Sequence, residues 1–112
     1  MLLIYGNQAT WDAMVEGDYE AHAGLIEELT ESGELLGTEG LTTLKARTVR
    51  APSGVPVVTD GPFTEAKEVL AGYYLLDCDG LERATEIAAR LPETRRSLVE
   101  VRRIMDKAEM GM

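Results

Sequence analysis

Few residues in this chain are of a type that does chemistry near neutral pH, and they lie far apart. His22 is the only histidine and Cys78 the only cysteine. His22 belongs to the run His22, Leu25, Ile26, Leu29, whose i, i+3, i+4, i+7 spacing marks one face of an amphipathic helix. Imidazoles in general titrate near neutrality, so a histidine here suits general acid/base work. The plainer alternative is a core histidine satisfied by a neighbouring polar group. Asp60 stands in Asp60-Gly61-Pro62-Phe63, between two apolar runs. Asp and Gly are turn residues and Pro62 cannot donate to a ladder, so a strand must stop or bulge there. Asp60 either caps that turn or projects a carboxylate into a cavity beside the sheet. Phe63 either anchors the loop or fills a pocket. Arg102 could hold an anionic group, since a guanidinium suits carboxylates. Tyr5, Tyr73 and Tyr74 fall in strand-like runs, where one of them should line a cavity. Cys78 lies between Asp77 and Asp79, whose charges disfavour its thiolate.

Other chemistries find little support. One histidine falls short of the roughly three or four protein ligands a zinc site takes. There is no Gly-x-Gly-x-x-Gly, no P-loop and no Gly-x-Ser-x-Gly, so nucleotide cofactors and serine-hydrolase chemistry are unsupported and no cofactor is expected. The net charge of −9, from 20 acidic and 11 basic residues, repels nucleic acid and anionic membranes. The basic residues gather near the C-terminus, where they form an anion patch or balance the glutamates around them. No stretch nears the roughly 20 apolar residues of a membrane span. The opening MLLIYG lacks the basic lead-in of a signal peptide. With a single cysteine, these features favour the cytoplasm.

The elements that must position these residues follow from the patterning. MLLIYG reads as a strand ended by Gly6-Asn7, and Thr10 could cap a short helical turn. A helix runs from about Asp18 to about Ser32, closed by Gly33. ELLGTEGLTTL is a strand with glycine irregularities. ARTVRA and VPVVTD flank Pro52-Ser53-Gly54 and form a hairpin over about residues 47–59. EVLAGYYLLDCD is the strongest strand, apolar on both faces. Asp79 to Glu82 offers a capping box for a helix over Leu81, Ala84, Ile87, Ala88 and Leu91, ended by Pro92. SLVEVRRI is a last strand and MDKAEMGM a frayed tail. The 112 residues make one domain over residues 1–104, with residues 105–112 as tail. The order predicts an α+β, ferredoxin-like (split β-α-β) antiparallel sheet with two helices on one face. The other face is greasy too, and a second copy of the chain is its economical cover, so a homodimer is predicted.

Several ordered motifs carry a resemblance. MLLIYG, GELLGTEGL, VVTDGPFTEAKEVLAGYYLLD and VEVRRI resemble the YCII-related family, and within it the DGPF-domain proteins named for the signature at residues 60–63. The likeness runs from residue 1 to about residue 104. It implies a dimeric α/β barrel and a His–Asp pair in a cleft, with His22 matching the histidine-bearing first helix. The aspartate's place corresponds to RLPETRR, residues 90–96, which holds no Asp, so the pairing would fall to Asp60. A second departure is Arg103, where the group tends to have proline. The resemblance also implies an accessory role near extracytoplasmic-function sigma factors.

Two functions follow. One is a non-catalytic small-molecule-binding or regulatory module, with a ligand among Tyr5, Phe63, Tyr73 and Arg102 and a sigma factor as protein partner. The other is a cofactor-independent acid/base enzyme of the isomerase or lyase type, using His22 and Asp60 on a small anionic substrate.

Overall fold

The computed structural model describes residues 1–63 and 67–112. Among the described residues six strands and three helices follow in order: β1 (Leu2–Gly6), α1 (Gln8–Asp12), α2 (Glu16–Ser32), β2 (Leu35–Gly40), β3 (Arg47–Arg50), β4 (Val57–Asp60), β5 (Val69–Leu76), α3 (Gly80–Ala89) and β6 (Leu98–Val101), with a 3-10 turn at Pro92–Arg95. The main sheet has the order β2-β5-β1-β6, every neighbour antiparallel. This is an α+β architecture compatible with the ferredoxin-like plan. The β3–β4 hairpin forms a separate two-stranded sheet.

Alternation along the strands sorts the two faces. Leu2 and Ile4 point inward from β1, opposite Tyr74 and Gly72 on β5 and Val101 and Val99 on β6. The α2 stripe brings Leu25 and Leu29 onto them, and α3 adds Ala84, Ile87 and Ala88. Leu2, Leu29 and Ile87 are fully buried. The opposite face displays Leu3, Tyr5, Tyr73 and Leu98, paired across the ladders.

Local chemistry explains the element ends, with several departures from the sequence reading. Asn7, not Thr10, caps α1: its side chain accepts the Thr10 N–H at 2.9 Å. α2 starts two residues before Asp18 because the Asp18 carboxylate reaches back to the Val15 N–H at 3.0 Å. Gly33 ends α2 at φ +79, as a left-handed cap should. No capping box forms at Asp79. Its backbone sits at φ −78, ψ 62, away from the extended geometry from which a side chain reaches the first-turn amides, and it makes no cap bond. Pro92 does not end α3, which stops at Ala89; Pro92 starts the 3-10 turn instead. The tail is a turn rather than frayed, because Asp106 and Glu109 each accept the other's backbone N–H.

In the Asp60–Phe63 segment, Gly61 takes φ +99 and its N–H donates to the Ala46 carbonyl at 2.7 Å, closing the base of the hairpin. Lys67 is exposed and Glu68 half-buried. The intervening Thr64, Glu65 and Ala66 lie outside the described residues.

Candidate functional site

α2 places Asp18 and His22 one turn apart on one face, since residues at i and i+4 stack along a helix. The 3-10 turn brings Glu93 and Arg96 against that face. It is anchored by Leu91 and Pro92, both buried. Two contacts of opposite polarity then join turn to helix. Glu93 sits on His22, with both carboxylate oxygens 2.8 Å from Nε2. Arg96 donates to Asp18 through Nε at 3.2 Å and Nη2 at 2.7 Å, and Arg95 adds a longer bond at 3.4 Å. The Asp18 carboxyl is held below its usual range, first by the Val15 N–H and then by Arg96.

The other imidazole nitrogen faces the sheet. Tyr74 on β5 places its hydroxyl 2.7 Å from His22 Nδ1. A carboxylate only accepts, so Nε2 carries a proton and donates to Glu93. In the neutral imidazole Nδ1 then accepts the Tyr74 O–H; in the imidazolium both nitrogens donate and the tyrosine oxygen accepts. Tyr74 is 2% exposed. Its phenol is pushed up to about 12, first by burial and then by the Glu93 charge. The result is a continuous chain Tyr74–His22–Glu93 along which a proton can be passed or held.

This chain forms one wall of a cavity of about 430 Å³ between the sheet, α1 and the first half of α2. Ile4, Trp11, Met14 and Ile26 supply apolar lining, and Tyr19, 61% exposed, stands at the mouth. Its volume is in the range of small-molecule sites. Glycines make the room. A Cβ on Gly72 would lie 2.9 Å from the Glu39 carbonyl oxygen, and one on Gly6 would lie 3.0 Å from Trp11 Nε1. Gly72 lines the cavity, so a larger residue there would fill it or push β2 away, and one at Gly6 would press on the Trp11 side chain of α1.

Of the residues singled out in the sequence, His22 and Tyr74 line this cavity, and Tyr5 borders it from β1 although it is displayed on the opposite face. Tyr5 sends its hydroxyl toward Glu100 at 3.4 Å. Asp60 lies on the hairpin with its side chain 99% exposed, 4.0 Å from Arg47. Phe63 is half-exposed, with the Arg50 guanidinium 5.5 Å from its ring centre. Tyr73 is on the helix-free face, paired with Leu3. Arg102 lines a second cavity, of about 270 Å³, with Leu81, Ala84 and Ile104. The structure thus joins His22 to Tyr74 and Glu93 rather than to Asp60. The other C-terminal arginines mostly meet carboxylates: Arg90 meets Glu28 and Arg103 meets Glu109. Among the described residues no group of three or more His, Cys, Asp or Glu side chains is arranged to hold a metal ion, and no helix is long and apolar enough to cross a membrane.

Glu93, Asp18 and Arg96 were not read as site residues: Asp18 marked only the start of the helix, and Arg96 and Glu93 stood among the C-terminal charges that could balance one another. Glu93 alone left a signal, because it lies in RLPETRR, where the resemblance places the carboxylate partner of the histidine. A glutamate there carries the same charge one methylene farther out.

A family model of the YCII-related domain matches residues 1–108. The chain belongs to the YCII-related family. It is also similar to an uncharacterized protein of Rhizobium meliloti (strain 1021), 47% identical over 49 residues, or 44% of this chain. The matched part is 40% of that protein's length, so the chain covers less than half of this relative.

Proposed function

We propose that this YCII-related protein binds a small molecule in the 430 Å³ cavity and moves a proton on it without a cofactor. The single observation behind this is the His22 imidazole, held between a carboxylate at 2.8 Å and a phenol at 2.7 Å on the cavity wall. Glu93 orients the ring and stabilises its charged form, the role a carboxylate plays behind a general-base histidine. Tyr74 serves as a relay: its oxygen takes a proton from the bound molecule as its own O–H proton passes to the neutral His22 at Nδ1. Isomerisation or elimination next to an activated C–H bond matches these groups.

The test is proton exchange. Compounds that raise the melting temperature are incubated in D2O with the wild type and with His22→Gln, and deuterium incorporation is followed by NMR. The wild type is expected to exchange protons on at least one bound compound, and His22→Gln to slow this by about 10²-fold or more. Equal exchange in the two proteins would remove the catalytic role.

A second reading, a non-catalytic sensor, is favoured by one specific observation: both ring nitrogens already have protein partners. In that case the ligand occupies the same cavity and the loaded protein meets a regulatory partner, such as an extracytoplasmic-function sigma factor. The excess negative charge would favour a basic surface on that partner. Binding without exchange of any ligand proton selects this reading.

A further inference from the structure

We infer that the molecule taken by the His22 cavity is a small organic cation, a protonated amine on an apolar or aromatic body. The inference rests on the cavity being a ligand site, as proposed above, and adds the ligand's chemical class.

Charge is the first argument. Among the described residues lining the cavity there is no lysine or arginine. Arg95 and Arg96, adjacent in sequence to the site, are drawn away to Asp18. Arg102 belongs to the other cavity. The one basic group in the described lining, His22, already faces Glu93, so an anionic ligand would meet that carboxylate with no further cation to balance it, and like charges at close range disfavour each other.

Hydrogen-bond capacity is the second argument. The two Glu93 oxygens share a single N–H, at 2.8 Å each, and among the described residues no other donor reaches this carboxylate. An ionised carboxylate has about four acceptor positions, so Glu93 retains unused capacity although its side chain is only 13% exposed. When His22 is neutral, the Tyr74 oxygen also keeps an open lone pair, because its proton is directed at Nδ1. The chemical wall therefore offers acceptors. An ammonium group offers three donors and no acceptor; a carboxylate offers only acceptors.

The third argument is the rest of the lining. Trp11 and Tyr19 are aromatic, and cations bind over aromatic faces. The chain's net charge of −9 draws cations toward it over longer range.

Three probes of matched size separate the possibilities: 2-phenylethylamine, 2-phenylethanol and 3-phenylpropionate. Binding is read from the His22 ring resonances in a histidine-labelled sample of the intact protein at neutral pH. The amine should give a saturable shift and bind about tenfold more tightly than the alcohol, with the carboxylate weaker still. Glu93→Gln should abolish the preference for the amine over the alcohol. Because that variant also makes the contact with His22 a neutral one, Tyr19→Leu serves as a second: Tyr19 is exposed, the fold should be unchanged, and amine affinity alone should fall. A carboxylate or alcohol that shifts His22 as strongly as the amine overturns the cation assignment and leaves the cavity reading standing. If none of the three shifts His22, the cation assignment falls too, and the deuterium-exchange experiment judges the cavity separately.

Discussion

Tyr74 is the residue where position and chemistry meet most closely. It is a core side chain, fully covered, yet its hydroxyl ends against His22. Its phenol ionises at about 12 in the folded protein, against 10.0 for an ordinary tyrosine. Between those values the unfolded chain has lost a proton that the folded chain still holds. The stability tied to this group is therefore complete below about pH 10 and is lost as pH rises toward 12. Over that window a shift of this size amounts to roughly 2–3 kcal/mol. Denaturant melts across the alkaline range should show a steep fall in the wild type and a shallower one in Tyr74→Phe. The difference in phenolate absorbance between the wild type and Tyr74→Phe should show the Tyr74 ionisation near pH 12. In Glu93→Gln its value should drop but stay above the ordinary one, because burial is the larger cause. A value that returned fully to the ordinary one would mean that the glutamate, not burial, holds the proton.

At the scale of elements, the site is an intersection of three pieces that are distant in the chain. α2 carries the imidazole, β5 the phenol, and the 3-10 turn the carboxylate. The Asp18–Arg96 contact holds the turn on α2, so Glu93 inherits its place from a second ion pair one helical turn away. The β2–β5 ladder sets the floor, and Gly72 is its narrow point. Gly72→Ala puts a methyl group 2.9 Å from a backbone oxygen, which a strand cannot yield without shifting. The expected cost is about 1–3 kcal/mol, the usual range for overpacking. Ligand affinity should fall with it as the cavity narrows. Unchanged melting and unchanged binding would show that β2 is free to move aside.

The whole molecule is thin. Its extents are 47 × 42 × 18 Å and its Cα radius of gyration is 16.2 Å, against about 13 Å for a compact chain of this length. One sheet with helices on a single face is half of a sandwich, and the hairpin adds breadth without depth. Leu98 on the helix-free face is 47% exposed, and Val49, Val57 and Val58 on the hairpin are more so. We therefore propose face-to-face pairing of two copies. Sedimentation equilibrium should find twice the mass of one chain, and Leu98→Glu should shift it to one. A wild type that stays monomeric at high concentration would remove the pairing. Much of this architecture was legible in the sequence. The α2 stripe, the Gly33 stop, the hairpin around Pro52–Gly54 and the two-sided apolar β5 are local patterns, and local patterns record backbone preference and burial directly. His22 was visible as a candidate for the same reason: an imidazole on an apolar stripe stands out. Its partners were legible only in part: Tyr74 stood among three strand tyrosines and Glu93 in the segment where the resemblance places the acid, but neither was joined to it. Asp60 has an arresting sequence context, but that context builds a turn, and the turn leaves the carboxylate in solvent. Glu93 looks like one of many surface glutamates until the chain returns across α3 and sets it on His22. Sequence spacing determines which face of an element a side chain occupies; only the packing of α2, β5 and the 3-10 turn decides which side chains, 52 and 71 residues from His22, complete its hydrogen bonds.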